Sequence, residues 1–121
     1  MRSVGPWSVG HRAEKSIFEC WRDTINSAQH YVYIENQFFL SSLASDDVRN
    51  NLAATLLEKL VTAALNRVPF RAVIVIPLHP EGDFLNAAPV RHVMHYQYGT
   101  ICRYVYLFIS NNFSESNGQL Y

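Results

Sequence analysis

Two short apolar runs separated by one helical stripe constrain the fold of this chain most strongly. The first run, YVYIENQF, begins at residue 31, and the second, FRAVIVIPL, begins at residue 70. Both are rich in β-branched and aromatic residues and too short for a surface helix, so we interpret them as strands buried on both faces. Between them a helical stripe runs through Val48, Leu52, Leu56, Leu60 and Ala64, capped by Ser45 and Asp46. This order predicts a parallel βαβ unit.

The same periodicity predicts a helix on either side of this unit. From Lys15 onward, one helical face is apolar, at Ile17, Phe18, Trp21, Ile25 and Ala28. After the second strand, a third helix is predicted by Val90, Val93, Met94, Tyr98 and Ile101, with Pro89 in its first turn. The run YVYLFIS, residues 104–110, predicts a third strand. The predicted fold class is α/β, with parallel βαβ layers.

Length and composition favour one domain without a strongly charged partner. The 121 residues are the size of one domain, in which we expect an irregular lead-in at 1–13, an α/β segment at 14–103, and a strand with a polar tail at 104–121. Ten basic and ten acidic residues cancel, which argues against a nucleic-acid partner. Two cysteines outside any C-x-x-C pair favour an intracellular location, and no apolar stretch is long enough to span a bilayer.

Polar residues follow both predicted strands of the βαβ unit. The first strand ends in Glu35, Asn36 and Gln37, here called the strand-end triplet, and the second ends in Pro77, His79, Glu81 and Asp83. Because ligands of open α/β sheets gather at the carboxyl ends of the strands, we predict that Glu35, Asn36, Gln37 and His79 bind substrate. The alternative is a polar cluster that merely caps a loop. Strand alternation separates Glu35 and Gln37 from Asn36 unless the strand ends or bulges there.

Other polar residues have simpler interpretations. His92 and His95 lie one helical turn apart, but no carboxylate pair or cysteine accompanies them, so we interpret them as helix-surface residues and predict no metal and no cofactor. Arg91 could meet a phosphate, although a solvated surface position is the better interpretation. Lys15 and Lys59 are the only lysines.

Four sequence blocks resemble the eukaryotic phospholipase D family, and most closely its phosphatidylcholine-hydrolysing members. The blocks are RSVGPWS, YIENQFF, AVIVIPLHPEGD and VRHVMHYQYGTICR, in that order, and they cover about residues 2–103. The resemblance implies a partial α-β-α sandwich from a protein of two similar halves, each of which supplies one H-x-K-x-x-x-x-D motif. It also implies that one motif's histidine forms a phosphohistidine, while the other protonates the departing alcohol.

The chain departs from this family pattern in two ways. The residues two places after its five histidines are Ala13, Val32, Glu81, Met94 and Gln97, so neither lysine-containing motif is present. In addition, the family continues after a block such as TICR with a glycine and a further stretch, whereas Tyr104 follows Arg103 here. We expect that the chain corresponds to the segment between the two motifs.

The resulting expectation is a segment of an enzyme that hydrolyses phosphatidylcholine to phosphatidic acid and choline. Its partners would be a phospholipid at a membrane surface and the remainder of the phospholipase D chain, and its location would be cytoplasmic and peripheral to membranes. Alone, the chain is expected to be inactive. Two alternatives stay open: a non-catalytic phospholipid-binding module, and a structural half-domain that needs a partner.

Overall fold

The fold is built on a parallel pair of strands and three longer helices. The computed structural model of the chain describes residues 1–9, 13–42, 48–77 and 87–113. Its elements, in chain order, are β1 (Ser3–Val4), α1 (Pro6–Val9), β2 (Glu14–Lys15), α2 (Ser16–Ser27), β3 (Tyr31–Glu35), α3 (Leu52–Leu65), β4 (Arg71–Val75) and α4 (Ala88–Phe113). The α/β fold class is confirmed.

The central βαβ unit forms as predicted. β3 and β4 pair in parallel, with Tyr31 opposite Arg71 and Glu35 opposite Val75, and α3 lies between them in the sequence. The sequence places the start of α3 earlier, because Val48 continues the apolar stripe; Val48 lies in irregular chain before the helix. The predicted caps Ser45 and Asp46 lie outside the described residues.

One face of the β3–β4 sheet, here called the inner face, carries the core. Val32 and Ile34 of β3 are buried there against Ile25 of α2 and Leu56 of α3. Ala72 and Ile74 of β4 pack against the same cluster. α2 and α3 therefore cover this face with most of the apolar stripes that the sequence shows, although Ile17 and Ala64, near the ends of these stripes, are exposed.

The other face of the sheet, here called the outer face, is exposed. Tyr31, Tyr33, Val73 and Val75 retain between 42% and 65% of their full exposure. The prediction that both strands are buried on both faces is wrong for the described part of the chain. β-branched and aromatic residues occupy both faces of these strands, and sequence alone does not show which face has a cover.

The predicted third strand is also wrong, because residues 104–110 belong to α4. This helix begins at Ala88 with Pro89 in its first turn, as expected, and continues through Phe113. Tyr104 packs against the core, and with Phe108 it lines a cavity of about 380 Å³ between α4 and β4. The run YVYLFIS has the composition of a strand, but Tyr104 and Phe108 also have the spacing of one helical face. Short apolar runs are often ambiguous in this way.

The lead-in is more ordered than predicted. β1 pairs antiparallel with β2, with Ser3 opposite Lys15. The Ser16 hydroxyl donates to the carbonyl oxygen of Arg2 at 2.7 Å, and the Arg2 amide donates to the Ser16 hydroxyl at 2.9 Å. These bonds tie the first residues to the start of α2, a contact too distant in sequence for a local pattern to reveal.

Candidate functional site

The strand-end triplet lies where β3 ends. Glu35 is the last residue of β3, and all three side chains of the triplet are exposed. The Asn36 amide donates to the Val75 carbonyl oxygen at 3.2 Å, which extends the ladder one residue beyond the strand. The Asn36 side-chain oxygen accepts from the Gln37 amide at 3.0 Å. Both bonds hold the backbone of the triplet at the carboxyl edge of the sheet.

Glu35 has one side-chain contact that sequence alternation predicts. Tyr33 and Glu35 lie on the outer face, and the Tyr33 hydroxyl donates to a Glu35 carboxylate oxygen at 2.8 Å. This hydrogen bond, together with desolvation and the negative charge of Glu35, raises the pKa of the Tyr33 hydroxyl above 10.0. The bond also fixes the direction of the carboxylate.

The chemistry available to the triplet is polar recognition. Two carboxamides can donate N–H bonds to anionic oxygens, and one carboxylate can accept bonds or attract a cation. The prediction that these residues bind substrate stays a prediction. His79, the fourth predicted site residue, lies outside the described residues together with Glu81 and Asp83.

The segment that follows the triplet is fixed by buried side chains of α4. Phe39 is 5% exposed, and its amide donates to the Gln97 side-chain oxygen at 2.9 Å. Two residues later, the Ser41 amide donates to the Thr100 hydroxyl at 3.1 Å, and this hydroxyl donates to the Tyr96 carbonyl oxygen at 2.9 Å. Gln97 and Thr100 are themselves 3% and 0% exposed.

The same segment is bonded to the start of α3. The Ser41 hydroxyl donates to the Asn50 carbonyl oxygen at 3.0 Å and accepts from the Ala53 amide at 3.1 Å. The Asn50 side-chain amide donates to the Leu40 carbonyl oxygen at 2.9 Å. We call the buried residues Ser41, Gln97 and Thr100, together with the half-buried Asn50, the buried polar network. It joins irregular chain after β3 to two helices.

Sequence reasoning missed this network. The predicted apolar face of α4 includes Tyr98 and Ile101, but they are 70% and 36% exposed. In the sequence, Gln97 and Thr100 look like ordinary polar positions, because a helical pattern does not tell which face of the helix meets the core. The available signal is their spacing: Val93, Gln97, Thr100 and Tyr104 follow one another by three or four residues, so two polar residues stand on an otherwise apolar face. A polar pair at such positions needs buried partners.

The remaining candidates lie apart from any cluster that the structure shows. His92 and His95 are exposed on α4, and the His95 ring meets the Tyr96 ring edge-on at 6.0 Å between centroids. Over the described ranges, no three side chains of His, Cys, Asp or Glu come together as a metal site would require. None of the described helices combines the length and the apolar character needed to cross a bilayer.

Comparison with known proteins identifies the family. The family model described as Phospholipase D matches residues 7–120, nearly the whole chain. The chain belongs to the phospholipase D family. It is 45% identical over 109 residues to phospholipase D zeta 1 of Arabidopsis thaliana, and 34% identical over 108 residues to human phospholipase D1, each covering 85% of this chain. Phospholipase D A of Dictyostelium discoideum is 37% identical over 103 residues.

The matched stretch is a small part of these phospholipases D. The chain spans 10% of the length of the Arabidopsis and human relatives. The matched residues include both the strand-end triplet and the buried polar network. The chain is therefore a segment of phospholipase D type, and both features lie within the stretch that matches the family.

Proposed function

We propose that this chain is the segment of a phospholipase D that lies between its two catalytic motifs, and that its strand-end triplet contacts the phospholipid substrate. The observation that carries the proposal is the position of the triplet. Glu35, Asn36 and Gln37 are exposed at the carboxyl edge of a parallel sheet, within the stretch that the family shares. This edge is where open α/β sheets bind ligands.

The proposed chemistry divides the work between this chain and the rest of the enzyme. The side-chain amides of Asn36 and Gln37 donate to the phosphoryl oxygens, where each donor counts most when negative charge develops. Glu35 meets the positive choline group of phosphatidylcholine, because a carboxylate beside the phosphate alone would repel it. His79, a substrate-binding candidate on sequence grounds alone, is proposed to take part in the same recognition.

The nucleophile and the acid come from the remainder of the phospholipase D chain. No histidine of this sequence is followed two residues later by lysine, so the histidine that forms a phosphohistidine and the histidine that protonates the leaving alcohol are supplied by the two missing motifs. The products are phosphatidic acid and choline. The assembled enzyme works at a cytoplasmic membrane surface, and this chain alone is inactive.

The test uses a full-length enzyme that carries this segment. Residues 14–103 replace the matching stretch of Arabidopsis phospholipase D zeta 1, and choline release from phosphatidylcholine vesicles is measured. Asn36→Ala and Glu35→Gln should each lower turnover at least about tenfold, because the Asn36 amide donates to the reacting phosphate and the Glu35 charge positions the departing choline. Both residues are exposed, so the melting temperature should change by only a few degrees.

Matched controls remove the same groups elsewhere. Asn26→Ala and Glu58→Gln act on exposed residues of α2 and α3 and should leave turnover unchanged. An inactive graft would contradict the proposal, and so would triplet variants whose activity and stability fall together. The 121-residue chain, assayed alone with the same vesicles, should release no choline above background. Choline release by this chain alone would contradict the proposal that the catalytic histidines lie in the remainder of the enzyme.

A further inference from the structure

Both ends of the strand-end triplet are held in place by bonds on the backbone. Upstream, the triplet continues the β3–β4 ladder through the bond from the Asn36 amide to Val75. Downstream, the chain is irregular, and Phe39 is only two residues beyond Gln37. Since each residue spans at most about 3.6 Å, a shift of the Phe39 amide is passed directly to the triplet.

The downstream bonds come from two side chains of one helix. Gln97 and Thr100 are three residues apart on α4, about one helical turn or roughly 5 Å. The amides that they bind, those of Phe39 and Ser41, are two residues apart in irregular chain, so at most roughly 7 Å separates them. The spacing of the two acceptors therefore suits alternate amides of the segment.

The Gln97 and Thr100 side chains are buried acceptors whose partners are backbone amides of an irregular segment, residues 39–41. A buried carboxamide or hydroxyl is costly unless it is hydrogen-bonded, and apolar residues would fill the same positions of α4 without that cost. Gln97 and Thr100 accept hydrogen bonds from the Phe39 and Ser41 amides, which lie outside the β3–β4 ladder, and so fix the position of these amides. The second anchor, from Ser41 to Asn50 and Ala53, holds the segment against α3 as well.

We propose that Gln97 and Thr100 are positioning residues for the phospholipase D reaction: they act through the backbone of residues 39–41 to set the place of Asn36 and its neighbours. This inference rests on the proposed function of the triplet. It predicts a loss of turnover from substitutions that touch no substrate, because small misplacements of groups at a reacting centre reduce rate steeply.

The test uses the same full-length graft and substitutions of nearly equal volume. Thr100→Val replaces the hydroxyl with a methyl group of similar size and should lower kcat about tenfold with KM changed by less than about twofold. Thr100→Ser keeps the hydroxyl and should restore kcat to near its original value. Gln97→Met, which removes the other acceptor, should reproduce the effect of Thr100→Val. Thr55→Val is the matched control, since Thr55 is 6% exposed and its hydroxyl donates to the carbonyl oxygen of Asn51, the residue before α3.

A double variant separates positioning from a general loss of stability. If Thr100 acts through the triplet, then Thr100→Val added to Asn36→Ala should lower kcat by less than about a further twofold. Full additivity of the two losses would overturn the inference, as would an equal loss of kcat in Thr55→Val. If Asn36→Ala and Glu35→Gln reduce kcat but Thr100→Val and Gln97→Met do not, only this inference falls. If the triplet variants are themselves fully active, the proposed function falls, and this inference falls with it.

Discussion

At the scale of single residues, the outer face of the sheet offers one contact whose physics can be measured directly. The Tyr33 hydroxyl donates to Glu35 at 2.8 Å, and this bond is the main reason why the pKa of Tyr33 lies above 10.0. Because the neutral form of Tyr33 is favoured in the folded chain, the stabilising effect is present below pH 10.0 and is lost as the pH rises through the raised pKa.

Glu35→Gln should therefore lower the pKa of Tyr33 toward 10.0, because the substitution removes the negative charge and leaves a weaker acceptor. The measurement is a pH titration of the tyrosine ring carbons by NMR in the isolated chain. Glu58→Gln removes an exposed carboxylate from α3, on the covered side of the sheet, and should leave that titration unchanged. A Tyr33 pKa that is the same with and without the Glu35 charge would show that the contact does not form in solution.

At the scale of elements, the sequence predicts helices and their packing well where one apolar stripe packs against one face of the sheet. The helical face of α2 and the stripe of α3 both pack on the inner face, through residues such as Trp21, Ile25, Leu56 and Leu60. Sequence predicts poorly where the outcome depends on contacts far along the chain. Residues 104–110 have strand composition, yet they continue α4, and Tyr104 reaches the core from there.

The candidate site divides in the same way. The end of an apolar run predicts that Glu35, Asn36 and Gln37 lie at a strand end, and the structure has β3 end at Glu35. The bonds from Gln97 and Thr100 to residues 39 and 41 cross 58 and 59 positions of sequence. No local rule connects residues so far apart, so the network could be recognised only in the folded chain.

The packing of α3 gives a test at this scale. Leu56 is 0% exposed within the core cluster, so Leu56→Ala should destabilise the chain by about 3 kcal/mol through lost burial and the cavity that remains. Leu65→Ala, at the last residue of the same helix, is the control, because Leu65 is 57% exposed and its truncation should cost less than about 0.5 kcal/mol. Urea unfolding followed by circular dichroism measures both. Equal losses would contradict the inner-face packing described here.

At the scale of the whole molecule, the sheet has one covered face and one open face. Tyr31, Tyr33, Val73 and Val75 form an exposed apolar surface on the outer face, beside the triplet. A contiguous apolar patch of this kind is typical of an interaction surface. We interpret the outer face as the place where the remainder of the phospholipase D chain packs, which agrees with a segment that spans 10% of its relatives.

This interpretation predicts opposite behaviour in the isolated chain and in the full-length graft. Val73 and Val75 are 44% and 42% exposed here, so changing both to threonine should alter the unfolding free energy of the isolated chain by less than about 0.5 kcal/mol per site and should weaken its binding of a hydrophobic dye. Threonine keeps the β-branched shape, so strand preference is conserved.

In the graft, the same pair should lower the temperature at which phospholipase D activity is lost, because two hydroxyls would be buried without partners. Val68→Thr, at a position 51% exposed, should change neither quantity. A graft that tolerates the pair as well as the isolated chain does would show that the outer face stays open in the full enzyme, and the proposed packing partner would then have to lie elsewhere.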